Sequence, residues 1–92
     1  MSLYRQAAKR DGNEKEIVTY LRSVGVSVHQ LSSKGVPDLL CGYKGKTYLL
    51  EVKEKRGKLT SDQVTWHDKW RGEKPFIVHD VAEALAVFKI KI

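Results

Sequence analysis

The residues whose types and spacing most clearly suggest chemistry lie in two neighbouring segments. Asp38 precedes one short apolar run, and Glu51 and Lys53 stand one residue apart at the end of the next run. Between the runs, Lys44-Gly45 predicts a two-residue hairpin turn. In that register Asp38 lies directly opposite Glu51, with Cβ atoms about 5 Å apart. Lys53 shares their face because side chains two positions apart on a strand point the same way, so we expect all three at one end of a hairpin.

Opposed carboxylates repel each other, so this pairing costs stability unless a cation lies between them. Mg²⁺ commonly takes one or two carboxylates and completes its shell with water and substrate phosphate. An ammonium beside such a metal can hold or activate a water, or neutralise charge that builds on the phosphate. The pattern therefore predicts phosphodiester hydrolysis with Mg²⁺ or Mn²⁺ as the cofactor. Taken singly, the motifs have a structural alternative, since a Glu-x-Lys in a strand is usually a solvated face or an ion pair.

The charge balance favours a polyanionic partner. Seventeen Lys and Arg against eleven Asp and Glu leave a formal charge of +6 and a pI near 9.6, which points to nucleic acid first and an anionic membrane surface second. A basic cluster near the predicted carboxylates is expected to contact phosphate, with a solvated loop as the alternative. Its members are Lys34, Lys55, Arg56 and Lys58.

Length and composition narrow the class of protein. The 92 residues are 41% apolar and 30% charged, which predicts one soluble globular domain over 1–92, with residues 1–12 as a frayed extension. The sequence contains no run of 18 apolar residues, so no membrane span is predicted. The first residues lack the apolar region of a secretory signal. A lone cysteine, Cys41, excludes an internal disulfide framework and fits a reducing cytoplasm.

The elements that must position these residues follow from periodicity, caps and turns. Asn13 is a candidate N-cap for the first helix, and Thr60 to Gln63 has the pattern of a capping box. In order, we predict a helix over 13–24, a strand over 26–28, a hairpin of strands over 39–43 and 47–50, a helix from 60 to about 71, a strand over 76–78 and a helix from about 80. Both hairpin strands are apolar at consecutive positions, which predicts that other elements cover both faces of the hairpin. The order α-β-β-β-α-β-α favours a compact α/β sandwich.

One charged residue and two tryptophans lie on helix faces where their side chains must pack against the fold or have a function. Glu14 lies on the apolar, inward face of the first predicted helix although it is charged. Trp66 and Trp70 share a helical face with Gln63, for which core packing is favoured over base stacking. The three histidines have no metal-ligand spacing with one another or with Cys41, so a zinc site is not expected.

The segment Gly35-Val36-Pro37-Asp38-Leu39-Leu40, followed by Glu51-Val52-Lys53, resembles the signature of PD-(D/E)xK nucleases. More closely, the chain resembles the virus-type replication-repair nuclease (VRR-NUC) domain over residues 14–85. That family has a Glu in its first helix, matched by Glu14, and a Gln early in the helix after the Glu-x-Lys strand, matched by Gln63. The resemblance implies a restriction-endonuclease-like fold, a small mixed β-sheet in an αβββαβ core with a further C-terminal helix.

The resemblance also implies roles for the matched hairpin residues. Asp38 and Glu51 are the expected metal ligands, and the backbone carbonyl of Val52 is the expected third ligand. Lys53 is expected to position or activate the attacking water. Two nearby carboxylates favour the protonated form of Lys53, which argues against it as a general base.

Two further catalytic residues are implied by the same resemblance. Glu14 is expected to bind the metal through water or to complete a second site; the alternative is a buried-edge carboxylate paired with a lysine. Gln63 is expected to orient Lys53, a water or the phosphate; the alternative is that it only serves as the N3 partner of a capping box.

Stand-alone members of this family are similar to small phage and bacterial enzymes that cut branched DNA as homodimers. We therefore expect a metal-dependent DNA endonuclease acting on branched DNA such as a four-way (Holliday) junction, in the cytoplasm, or in the host cytoplasm for a phage protein. The alternative is a non-catalytic basic module that binds nucleic acid, which has no use for Asp38 and Glu51. A small structural protein leaves those carboxylates and Glu14 unexplained.

A homodimer also has a physical motive. A 92-residue domain buries proportionally little surface, and a C₂ dimer presents two like sites to the like strands of a four-way junction. The tail over residues 88–92 alternates apolar and cationic side chains. Its apolar side chains either pack against a partner subunit or close the core of their own chain.

Overall fold

The computed structural model describes residues 12–91, and these form three helices and four strands in the predicted order. The elements are α1 (Glu14–Ser23), β1 (Ser27–Gln30), β2 (Leu39–Tyr43), β3 (Lys46–Val52), α2 (Ser61–Lys69), β4 (Phe76–Val78) and α3 (Val81–Val87). This confirms the predicted α/β fold. The N-terminal extension predicted over 1–12 lies, apart from Gly12, outside the described residues. No helix in the described range is long and apolar enough to cross a membrane.

The strands form one mixed sheet in the order β1-β2-β3-β4. The first three strands are antiparallel neighbours, and β4 runs parallel to β3. The predicted hairpin register is confirmed, because Tyr43 pairs with Lys46 and Leu39 with Leu50. Lys44 and Gly45 both have positive φ, 49° and 79°, as a two-residue turn that matches the twist of the strands requires.

The core lies between one face of the sheet and the pair α1 and α3, which pack against each other. Its fully buried residues come from α1, from the strands β2, β3 and β4, and from α3, and they include Leu21, Leu39, Leu50, Val78 and Leu85. Cys41 belongs to this core, and burial raises the pKa of its thiol to about 12. The thiol is therefore protonated at neutral pH and is not a nucleophile.

The prediction that the hairpin strands are covered on both faces is wrong for part of the second face. Leu40 on β2 is 38% exposed, and Ile77 on β4 is 44% exposed. The helix α2 covers only the end of that face, where Glu51 is buried against Gln63 and His67, and none of its own nine residues is buried. The physical reason is its sequence, Ser-Asp-Gln-Val-Thr-Trp-His-Asp-Lys, which has no continuous apolar stripe to lay against a sheet. Core packing of Trp66 and Trp70 is wrong for the same reason.

The N-termini of α1 and α2 are capped differently. Thr60 and Gln63 form the predicted capping box on α2. Asn13 precedes α1 as predicted, but its side chain makes no capping bond to the helix. Its Nδ2 instead donates to the carbonyls of Lys53, at 3.2 Å, and His79, at 2.6 Å. These long-range bonds compete with local capping and tie the start of α1 to the ends of β3 and β4.

The C-terminal tail closes the core of its own chain. Phe88 is 5% exposed, and its ring makes edge contacts with Tyr48, at 4.7 Å between centroids, and with Tyr43, at 5.8 Å. Ile90 also packs against the core. Of the two interpretations of the tail, the structure therefore favours the one within a protomer for Phe88 and Ile90, and Ile92 lies outside the described residues.

Candidate active site

The strand register brings the predicted catalytic residues to one end of the sheet. Gln30, at the end of β1, pairs with Leu39, at the start of β2. Leu39 in turn pairs with Leu50, near the end of β3. Because β3 and β4 are parallel, they also end together, with Val52 beside Val78. Residues at the end of β1, before β2 and after β3 therefore meet at one edge, where Asn13 also holds the start of α1.

Glu14 is the first residue of α1 and lies in the interior, as predicted. It is 2% exposed, and its Oε2 accepts a hydrogen bond of 2.8 Å from Nε2 of Gln30. Burying a charged group is costly unless it is paired and hydrogen-bonded. Helix position and strand register thus hold a carboxylate inside the fold at the same edge as the hairpin residues.

Asp38 is held by both its backbone and its side chain. Its carbonyl accepts a bond of 2.8 Å from the amide of Leu31, which continues the pairing of β1 with β2. Its Oδ2 accepts a bond of 2.7 Å from the amide of Val52 on β3. The carboxylate therefore crosses from the start of β2 to the residue that follows Glu51, as expected from the hairpin register.

The loop before Asp38 is packed on the first turn of α2. Gly35 is buried with φ of +84°, and a Cβ at this position would lie 3.1 Å from the carbonyl oxygen of Asp62. Both the positive φ and the close approach favour glycine. This contact places the loop that carries Asp38 directly against the helix that carries Gln63.

Glu51 is the most completely enclosed charged residue in the described range, with 0% exposure. Its Oε2 accepts from Nε2 of Gln63 at 3.1 Å, and its Oε1 lies 3.1 Å from Nε2 of His67. Gln63 also closes the capping box, because its Oε1 accepts from the amide of Thr60 at 2.9 Å. One end of the Gln63 amide therefore caps α2, as predicted, and the other end donates to Glu51, a contact that neither interpretation of Gln63 included.

His67 is a further site residue that was not predicted, because the spacing of the histidines indicates no metal site. Burial lowers its pKa, and the charges of Lys74 and Lys53 lower it further. The imidazole is therefore neutral at neutral pH, and its Nε2–H donates the hydrogen bond to the carboxylate of Glu51. The four-residue spacing from Gln63 was the available signal, because it puts both side chains on one face of a helix.

Lys53 stands immediately after β3, and its position is fixed by the backbone. Its amide donates to the carbonyl of Val78 at 3.0 Å, and its carbonyl accepts from Asn13. The turn that follows packs on its side chain, since a Cβ at Gly57 would lie 3.7 Å from the Cδ of Lys53. Its charge also contributes to the lowered pKa of His67, so the ammonium acts electrostatically on the group around Glu51.

The predicted phosphate-binding residues lie on the surface. Lys55, Arg56 and Lys58 are exposed in the loop that follows β3, which leaves the sheet at the edge where Glu51 lies. Lys34 is 80% exposed, and its Nζ is 3.4 Å from a carboxylate oxygen of Asp62. An ion pair this exposed is worth little, so it does not prevent Lys34 from contacting phosphate.

Within residues 12–91, no group of three or more His, Cys, Asp and Glu side chains is arranged to hold a metal ion. The predicted carboxylates therefore do not form a three-ligand cage by themselves. Asp38, just before β2, and Glu51, on β3, nevertheless supply hard oxygen donors, which fits a cation such as Mg²⁺ that takes one or two carboxylates and keeps several waters.

Comparison with known proteins agrees with the predicted architecture. No family model and no curated protein matches the chain. Among solved structures, one described as a "VRR_NUC domain" superposes with a TM-score of 0.68 at 24% sequence identity. The match covers 86% of this chain and 97% of that structure. The chain therefore has the fold of a VRR_NUC domain, as its sequence resemblance implied.

Proposed function

We propose that the protein is a divalent-metal-dependent endonuclease that hydrolyses phosphodiester bonds in branched DNA, with four-way junctions as the preferred substrate. The observation that carries the proposal is Glu51, a carboxylate with no exposure whose two oxygens contact Gln63 and His67. A small domain does not bury and orient a carboxylate beside Asp38 for stability, because desolvating charge is costly.

In the proposed site, Asp38 and Glu51 hold Mg²⁺ or Mn²⁺ with the backbone carbonyl of Val52. Glu14 contributes through water or at a second site. The bound cation supplies Lewis-acid activation of the scissile phosphate. These ligand assignments rest on donor chemistry, on the fold and on the edge at which the residues meet.

The remaining residues orient the carboxylate and the attacking water. Gln63 and His67 hold Glu51 in one rotamer, which removes an ordering cost from the reaction. Lys53, in its protonated form, donates to the attacking water and stabilises the negative charge that develops on the phosphate. Lys34, Lys55, Arg56 and Lys58 bind the backbone of the substrate through its phosphates.

The first test is cleavage of labelled duplex, flap and four-way junction DNA in Mg²⁺, Mn²⁺ or EDTA. We expect cutting of the branched substrates in either metal and none in EDTA. Gel analysis of the products measures this directly. Full activity in EDTA contradicts the metal-dependent mechanism, and equal rates on linear duplex and junction contradict the preference for branched DNA.

A non-catalytic basic binding module is the rival proposal, favoured only by the charge of +6. It predicts the same affinity for DNA in EDTA and in Mg²⁺ and no cleavage under any condition. It also predicts that Asp38→Asn and Glu51→Gln bind DNA like the wild type in every buffer. Nuclease activity that these variants lack decides against it.

We also propose that the working unit is a homodimer in the cytoplasm, or in the host cytoplasm for a phage protein, where the lone Cys41 stays reduced. Two-fold symmetry of the junction favours a C₂ dimer with two sites. Light scattering at micromolar concentration is expected to give twice the protomer mass. A monomeric mass together with efficient junction cleavage contradicts the dimer. Because Phe88 is part of the protomer core, we do not expect the tail to form the interface.

A further inference from the structure

The helix α2 and the residue that follows it carry two tryptophans that the proposed mechanism does not use. Trp66 and Trp70 are one helical turn apart, and their rings stack with centroids 4.7 Å apart and an interplanar angle of 16°. Trp70 is 41% exposed. Large aromatic side chains contribute most when they are buried, so core packing does not explain a stacked pair in which Trp66 is half-buried and Trp70 is exposed.

This pair is held on a rigid support. The capping box orders the start of α2. At the other end, Nζ of Lys74 donates to the carbonyls of His67 at 2.5 Å and Trp70 at 3.0 Å. The indole of Trp70 lies over Gly72, where a Cβ would come within 2.7 Å of Nε1. The ring position thus depends on a residue without a side chain, and little entropy remains to be lost when a ligand stacks on it.

The two rings form one wall of an open groove of about 570 Å³. The groove is lined by Lys34, Asp62, Thr65, Trp66, Lys69 and Trp70. It therefore combines an aromatic surface with two lysines, while the single carboxylate at Asp62 is next to Lys34. Aromatic rings interleaved with cations are the combination that binds single-stranded nucleic acid.

The groove adjoins the candidate active site. The ring of Trp66 meets the ring of His67 edge to face at 6.2 Å, and His67 contacts Glu51. A strand lying in the groove is therefore two side chains away from the buried carboxylate. This continuity favours a segment of the substrate as the occupant over an unrelated ligand.

We propose that Trp66 and Trp70 stack with unpaired bases of a DNA strand, while Lys34 and Lys69 contact its phosphates. Bases inside a duplex are already stacked on each other, so the indoles distinguish a flap or an opened branch point from linear duplex. Stacking tolerates any sequence because every base has a π-face. This inference rests on the proposed function in taking DNA as the ligand. It adds that unpaired bases are the feature of the DNA that the protein recognises.

The wild-type protein provides the first readout. Its two tryptophans are both in this pair, so intrinsic tryptophan emission reports on the groove alone. Titration with a single-stranded oligo-dT in EDTA is expected to quench that emission, and a blunt duplex of the same length is expected to quench it less. Equal quenching by the two DNAs overturns the proposed preference for unpaired bases.

Substitutions provide the second readout, by fluorescence anisotropy of labelled DNA in EDTA. Trp66→Ala and Trp70→Ala are each expected to lower affinity for the single strand by about 5- to 150-fold and to leave duplex affinity unchanged. Trp70→Tyr, which keeps an aromatic face, is expected to retain most of the affinity and also controls for folding. Val64→Ala is the matched control, because Val64 is 51% exposed on the same helix and does not line the groove.

Three outcomes overturn the inference: wild-type affinity of both alanine variants for the single strand, an equal loss for single strand and duplex, or conversion of a dimer to a monomer by Trp70→Ala. The last would assign the groove to a second copy of the chain.

Cleavage assays keep this test separate from the proposed function. If the wild type cuts DNA and the alanine variants bind it normally, only the proposed base stacking by Trp66 and Trp70 is contradicted. If the tryptophans bind single strands but no DNA is cut, only the proposed nuclease activity is contradicted.

Discussion

Lys53→Ala is expected to lower the rate of DNA cleavage by on the order of 10²- to 10⁴-fold, the range found when a group that moves a proton or stabilises transition-state charge is removed. Lys53 follows the strand that carries Glu51, and its charge acts on His67. Removing the ammonium takes away the group that we assign to the attacking water. Single-turnover cleavage of a labelled junction measures the effect, and DNA binding should persist because the other basic residues remain.

Lys46→Ala is the matched control for this prediction. Lys46 is exposed at the opposite end of the same strand, so the substitution removes an equal charge far from the proposed site. It is expected to cut DNA at the wild-type rate. A similar loss in both variants assigns the effect to overall charge, and undiminished cleavage by Lys53→Ala contradicts the mechanism.

Binding of Mn²⁺ or Mg²⁺ is expected to raise the melting temperature of the wild-type protein by roughly 10–20 °C when the metal is present at about 100 times its dissociation constant. The reason is mass action, since a cation bound only by the folded state stabilises that state. It also relieves the repulsion between Asp38 and Glu51. Differential scanning calorimetry with and without metal measures the shift, and no DNA or cleavage is required.

The shift should be much smaller in Asp38→Asn and Glu51→Gln, which keep the side-chain shape and remove the charge. Glu16→Gln provides the control, because Glu16 is an exposed carboxylate in the first turn of α1. It should show the full shift from its own metal-free baseline. Equal shifts in all four proteins exclude Asp38 and Glu51 as metal ligands.

The local parts of the fold could be predicted from the sequence because their determinants are close together in the chain. The capping box from Thr60 to Gln63 and the turn at Lys44 and Gly45 each involve four residues or fewer. Helical spacing likewise placed Glu14 on the buried face of α1. Correct turn length then determined which residues oppose each other along the whole hairpin, since strand pairing has a period of two.

Long-range contacts could not be predicted in the same way. The bonds of Asn13 join residues separated by 40 and 66 positions, and they replaced the local cap that the residue type suggested. The position of Trp66 and Trp70 outside the core depends on how α2 lies over the second face of the sheet. Two tryptophans at helical spacing look the same in a sequence whether that face of the helix is covered or open.

By itself, therefore, the sequence determined the order of elements, the hairpin register and the edge of the sheet at which Asp38, Glu51 and Lys53 stand. These follow from short-range periodicity, turn geometry and capping. The tertiary structure decided which side chains hold the carboxylates: Gln30 on Glu14, and Gln63 with His67 on Glu51. The physical reason is that these hydrogen bonds join residues 12 to 16 positions apart on different elements, and the packing of the whole domain sets how closely those elements approach.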